Sequence, residues 1–153
     1  MESQGTCFPA DFRGYLSYFG TGWLGDFFVI WNPFSKIEYM NWQQQSQETL
    51  RAFKEIQREF PEFFGHWIFY PEPGGLLPCG RTENGDTLFW VTKNQPDRWT
   101  IAVGREEPLD FYTGSLCEFL YHLLNNFPTG ANLPDLREVP KVFSRRGRYE
   151  RFK

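Results

Sequence analysis

Cysteine and histidine are scarce in this 153-residue chain, and the scarcity removes whole classes of chemistry. Cys7, Cys79 and Cys117 are odd in number and far apart, which fits reduced thiols and predicts no disulfide framework. The two histidines, His66 and His122, stand at no zinc-finger spacing from a second ligand, so neither a metal site nor a cofactor is expected. Long hydrophobic runs are missing as well. A stretch such as Phe27 to Trp31 falls far short of the ~20 apolar residues a membrane helix needs. The start lacks a basic segment followed by an apolar one, so no signal peptide is visible. The expected location is the cytoplasm, with no membrane partner. No internal repeat is evident.

What the chain has in abundance is aromatic rings, 20% of its residues, and large rings supply much of the burial in a small core. The length suits one domain, expected over residues 1–127. Beyond it, Gly130, Pro134 and Pro140 forbid long regular structure, so 128–153 is read as a Pro-containing, then basic, extension. Charge divides at the same place. Of 16 basic and 19 acidic residues, six basic ones and only Glu150 lie in 141–153, leaving an acidic body. Such a body repels nucleic acid and attracts basic partners, for example the phosphate-binding surface of a nuclease. Nucleic-acid contact is conceivable only through the basic tail, for which solvated disorder is the simpler expectation.

The most specific local signal runs from Gly74 to Trp90. Asn84-Gly85 tolerates the positive φ of a tight hairpin turn, which makes Leu76 to Thr82 and Asp86 to Thr92 antiparallel neighbours. The second strand is apolar on both faces, through Leu88 and Trp90 on one and Phe89 and Val91 on the other, as a central strand is. After a turn at Asn94 to Asp97, Arg98 to Val103 alternates Trp99, Ile101 and Val103 with wetter residues and predicts a third strand. Ser115 and Glu118 form an S-x-x-E capping box ahead of Leu116, Phe119, Leu120, Leu123 and Leu124 on one helix face.

Leu77, Pro78, Gly80, Thr82, Asn84, Gly85, Asp86, Phe89 and Trp90, then Asp97 and Trp99, then Ser115, Leu116, Glu118, Phe119 and Leu120 appear in an order and spacing that resembles the SUKH superfamily of bacterial immunity proteins. Phe8 to Phe12, Tyr18-Phe19-Gly20 and Asn32-Pro33-Phe34 look like the opening elements of that family, so the resemblance spans most of Phe8 to Phe127. It implies a protein-binding module that neutralises a polymorphic bacterial toxin of the kind delivered in contact-dependent inhibition; the eukaryotic founding member is a cell-wall synthesis regulator. The sequence departs from the family at both ends. Only Met1 to Cys7 precede the Phe-Pro element, where members often carry a further helix, and the chain after Phe127 has no match.

The remaining elements complete an expected α+β fold, a mostly antiparallel sheet of about five or six strands with three or four helices packed against it. Pro9 suits a first helical turn, and Phe12, Tyr15, Leu16 and Phe19 recur at helical spacing before Gly20. Trp23 to Trp31 reads as one buried strand. A second helix starts at Asn41, or at Ser35 with Glu38 three residues on, and ends at Phe60 before Pro61, with Leu50, Phe53, Ile56 and Phe60 as its core stripe. Gly65 to Tyr70 is expected to be a strand, and Leu109 to Tyr112 a short one.

Several constellations imitate catalysis. Gly20 to Gly25 matches G-x-G-x-x-G, yet the expected order is helix then strand, the reverse of a dinucleotide fold. His122 falls on the polar side of the last helix, and His66 at a strand entrance is equally a packed or capping imidazole. Nothing nearby lowers the pKa of Cys79, which reads as a small buried thiol. Asp26, Asp86, Asp97 and Asp110 sit at turns, where Asp commonly caps backbone. No catalytic residue is assigned, and the chain is expected not to be an enzyme; a hydrolase using Asp86 with His66, or Cys79, is the weaker alternative, and a regulatory scaffold with a cellular partner the stronger one. Trp90 and Trp99 are expected in the core, whereas Trp23 and Trp42 are read as surface anchors. From turn location and charge, the candidate contacts with a basic toxin domain are Trp23, Asp26, Glu83, Asp86, Glu106 and Glu107.

Overall fold

A computed structural model describes residues 2, 3, 6–125, 133 and 142–144. The chain opens with a small hairpin of β1 (Glu2–Ser3) and β2 (Thr6–Cys7), followed by helix α1 (Ala10–Phe19). Pro9 precedes the helix, and the Asp97 carboxylate supplies the missing cap by accepting from Ala10 N–H at 2.7 Å. Next come β3 (Trp23–Leu24), β4 (Phe28–Ile30), α2 (Trp42–Glu59) and the single turn α3 (Pro61–Phe64). Then follow β5 (Leu76–Thr82), β6 (Thr87–Val91), β7 (Thr100–Gly104), β8 (Asp110–Tyr112), α4 (Leu116–Leu124) and β9 (Phe143–Ser144). Seven strands form one antiparallel sheet in the order β8-β7-β6-β5-β4-β3-β9, so the fold is α+β.

The two-faced pattern of β6 is resolved by helices on both sides of the sheet. Leu88 and Trp90 join a cluster with Phe12, Leu16, Phe119 and Leu123 of α1 and α4. Phe89 points the other way, into a second cluster with Phe53 of α2, Trp67 and Phe69, as the period of two along a strand requires. Trp90 is fully buried, with the rings of Phe12, Trp99 and Phe8 at 4.9, 5.7 and 6.0 Å.

The Leu-Pro-x-Gly stretch is a bulge. Pro78 pairs with Phe89 and Gly80 with Leu88, leaving Cys79 as the extra residue. Proline, which has no N–H for the ladder, is tolerated in a sheet at such a site. The freed groups are used elsewhere: Pro78 C=O accepts from Trp42 Nε1–H at 2.9 Å, and Cys79 C=O from Trp31 N–H at 3.0 Å. Gly80 has to be glycine because a Cβ there would collide with the Val29 carbonyl. Beyond Thr82 the chain turns through Gly85 at φ 91°, and Thr82 N–H donates to Asp86 C=O at 2.9 Å.

Several expectations are corrected. Trp23 to Trp31 is not one strand but a hairpin. Its apolar run is continuous because both faces are covered, and the break sits at Asp26, whose φ of 53° turns the chain. The second helix does end where expected, with Phe60 as its C-cap residue before Pro61; what was not expected is that Pro61 begins the further single turn α3, at the position where proline fits. Gly65 to Tyr70 makes only an isolated bridge, Phe69 to Leu76. Its backbone is held instead by Gln57 Nε2, which donates to Phe64 and Trp67 carbonyls at 2.7 and 2.8 Å. Trp42, read as a surface anchor, is buried edge-on against Phe8 at 4.7 Å. Ile56 and Phe60, assigned to the core stripe, are exposed. Of the two alternative starts of α2, the first holds: Asn41 is the cap, its Oδ1 accepting from Gln44 N–H at 3.0 Å. Described residues after 125 also join the domain. Leu133 is buried in the first core cluster, and β9 pairs with β3. The rest of the basic tail lies outside the described residues.

Trp90→Ala is expected to cost about 3–5 kcal/mol, read as a lower urea midpoint, whereas Phe111→Ser, at a side chain 67% exposed, should leave the midpoint within about 0.5 kcal/mol of the parent.

Candidate protein-binding surface

Antiparallel pairing sends alternate turns to the same end of a sheet. Leu24 faces Phe28, Phe28 faces Thr82, Arg81 faces Thr87, Thr87 faces Gly104 and Val103 faces Asp110. The β3–β4, β5–β6 and β7–β8 turns therefore share one end. Trp23, Asp26, Glu83, Asp86, Glu106 and Glu107 all lie at or beside these turns, gathered from separate stretches of chain.

Their exposures differ. Glu106 and Glu107 are exposed and Glu83 is half-buried, but Trp23, Asp26 and Asp86 are buried. Trp23 is thus not an exposed anchor: β9 pairs along its strand, and the Arg81 guanidinium lies 5.2 Å from its ring centre. Burial pushes the Asp86 carboxyl above the usual range, with Arg105 opposing and Asp110 and Glu106 adding to the rise. Arg105 Nε sits 3.9 Å from Asp86 Oδ1, and its Nη1 donates to Asn84 C=O at 2.8 Å. These contacts fasten the start of the β7–β8 loop to the hairpin turn. Glu107 fastens the loop further on, its Oε1 accepting from Trp67 Nε1–H and meeting His66 Nε2 at 2.6 Å.

Between the pinned loop and the end of α2 lies a groove of about 500 Å³, lined by Ile56, Phe60, Phe63, Phe64, Glu106 and Glu107. Phe63 and Phe60 are 60% and 43% exposed. On the far side of Glu107 a second depression of about 260 Å³ holds Ile68, Leu109 and Phe111, with Ile68 and Phe111 also exposed. Contiguous exposed apolar side chains of this kind mark interaction sites on folded proteins. Sequence reasoning found the acids but missed the phenylalanines, because helical spacing placed Ile56 and Phe60 inward. The signal was the cluster Phe60-Pro61-Glu62-Phe63-Phe64, more aromatic than one short turn can bury.

The groups that imitated catalysis are occupied structurally. Cys79 is fully buried and donates to Leu88 C=O at 3.4 Å, and burial pushes its thiol up. Burial first, and then Asp11, push Cys117 up to about 12. Asp11 also accepts from Cys117 N–H at 2.9 Å, which ties α1 to the start of α4, while Ser115 Oγ accepts from Glu118 N–H at 3.3 Å. His66 engages Glu107, and His122 is exposed. Gly20 to Gly25 runs from the end of α1 through β3, helix before strand. Among the described residues no cluster of three or more His, Cys, Asp or Glu could hold a metal ion, and no helix is long and apolar enough to cross a membrane. No family model, curated protein or solved structure matches the chain.

Both shifted thiols bind their protons more tightly folded than unfolded. Their stability contribution is complete below the ordinary thiol range near ~8.5; the Cys117 part is lost as pH rises from there toward about 12, and the Cys79 part as pH rises above that ordinary range. Urea midpoints should fall over the alkaline part of that window, less steeply in a Cys79→Ala, Cys117→Ala double variant. Iodoacetamide, which needs a thiolate, should label exposed Cys7 well before either of the others in the native protein.

Proposed function

We propose that this chain is a non-enzymatic protein-binding module of the SUKH type, an immunity protein that binds a cognate bacterial toxin and blocks its active surface. The supporting observation is the joint occurrence, at one end of the sheet, of exposed aromatic side chains and exposed carboxylates on a loop pinned at two points. Apolar anchors slow dissociation, and surrounding acids steer a basic partner and compete with a polyanionic substrate. A toxin that acts on nucleic acid has a basic active surface and fits that chemistry, and the cytoplasm is where it would have to be met. The motif residues behind the family resemblance have scaffold duties here: Pro78 and Gly80 in the bulge, Asn84 and Gly85 in the turn, Trp90 and Trp99 in the core, Asp97, Ser115 and Glu118 at helix starts. Variation in partner then falls to the loops and the α2–α3 corner. Against a hydrolase stand the burial of Asp86 and Cys79 and the pairing of His66 with Glu107.

The neighbouring reading frame is expected to encode a toxin, and co-expression of the two should restore growth and yield a stable complex. Glu83→Lys with Glu106→Lys should slow association at low salt by about tenfold or more, with the difference shrinking as salt rises. A stable partner that is not a toxin would move the same surface to a regulatory scaffold. Turnover of a substrate abolished by Asp86→Asn would overturn the non-enzymatic assignment.

A further inference from the structure

The groove between the α2–α3 corner and the β7–β8 loop carries more information than a generic sticky patch. Its lining has four apolar side chains, Ile56, Phe60, Phe63 and Phe64, and the charges among its lining residues are the carboxylates of Glu106 and Glu107. One wall is helical and ends abruptly at Phe60, where the backbone leaves the helix at φ −127° and Pro61 starts a new turn. The corner thereby turns Phe60 and Phe63 outward together. The opposite wall is held still, since Glu107 is fixed by the Trp67 indole and His66, and Arg105 by Asp86 and Asn84. A rigid apolar floor beside like charges calls for a complementary ligand with apolar side chains and a cation close together.

We infer that this groove docks a basic amphipathic segment of a partner protein, its large apolar side chains seated on Phe60 and Phe63 and its Lys or Arg side chains set against the exposed carboxylate of Glu106. A second copy of this chain fits poorly. Two-fold pairing puts each patch against itself, and the carboxylates of both copies would converge in an apolar contact. Nucleic acid and anionic lipid surfaces meet the same repulsion. The docking mode rests on the protein-binding function proposed above, but not on the partner being a toxin.

The test uses the full chain and two helical peptides of identical length, one of Leu and Lys at amphipathic spacing and its twin with Glu for every Lys. Amide chemical-shift changes for the Leu/Lys peptide should concentrate on Ile56, Phe60, Phe63, Phe64, Glu106 and Glu107. Its affinity should exceed that of the twin by at least about tenfold at low salt, a gap that narrows as salt screens it. Phe63→Ser, at an exposed position that keeps the fold, should weaken the Leu/Lys peptide about tenfold; Glu106→Lys should shrink the difference between the twins. Equal affinity for the twins, shift changes on another surface, no binding at millimolar peptide, or a dimer that Phe63→Ser dissolves would each overturn the inference. The two levels also separate. Neutralisation of the neighbouring toxin equally by the parent, Phe63→Ser and Glu106→Lys chains would remove the groove and keep the immunity function. Loss of toxin binding in the neighbouring-frame experiment, with the peptide preference intact, would do the reverse.

Discussion

Trp90 lies fully buried near the middle of a seven-stranded sheet, and the rings that close on it come from the chain start, the first helix and the turn before β7. Elements far apart in sequence are held in register by one apolar contact that none of them makes alone. The same strand commits the other face, since Phe89, one residue earlier, must point to the opposite side and finds Phe53 at 5.6 Å and Trp67 at 6.5 Å. A strand buried on both faces requires helices on both faces. The placement of α1 and α4 on one side, and of α2 on the other, follows from it.

The surface proposed for binding is a by-product of that arrangement. Antiparallel order collects three turns at one end, and α2, docked through Phe53, runs out at Phe60 beside the last of them. The loop in between would be loosely held if its charges were all solvated. Two of them are spent inward instead, Arg105 on Asp86 and Asn84 and Glu107 on Trp67 and His66. Asp86 shows the cost of this use, a carboxyl that burial pushes up and that Arg105 only partly restores. Rigidity in a binding loop reduces the entropy lost on association, so spending charge on position rather than on the partner is consistent with a recognition role.

Much of the fold was legible because its signals are local. Asn84-Gly85 demands a turn, the alternation in β6 demands burial on both faces, and the Ser115 cap marks the start of α4; each survives in the structure within a residue or two. The errors share a cause. The run from Trp23 to Trp31 looked like one strand because continuous burial erases periodicity, leaving only Gly25-Asp26 to betray the hairpin. Ile56 and Phe60 looked like core because helical spacing defines a stripe without saying where the sheet beneath it stops. Trp23 and Trp42 looked exposed because β9 and the Pro78 bulge, which cover or bind them, lie more than thirty residues away in the chain.

The sequence by itself determined an α+β domain, its central hairpin, its capped helices and an acidic body, since each depends on backbone preference, side-chain period or composition. Only the tertiary structure decided which acids are spent on holding loops and which face outward, and which phenylalanines are core and which form a groove. Exposure is a property of the whole packing: a side chain is buried or free according to what distant segments place over it, and no local pattern in the chain records that.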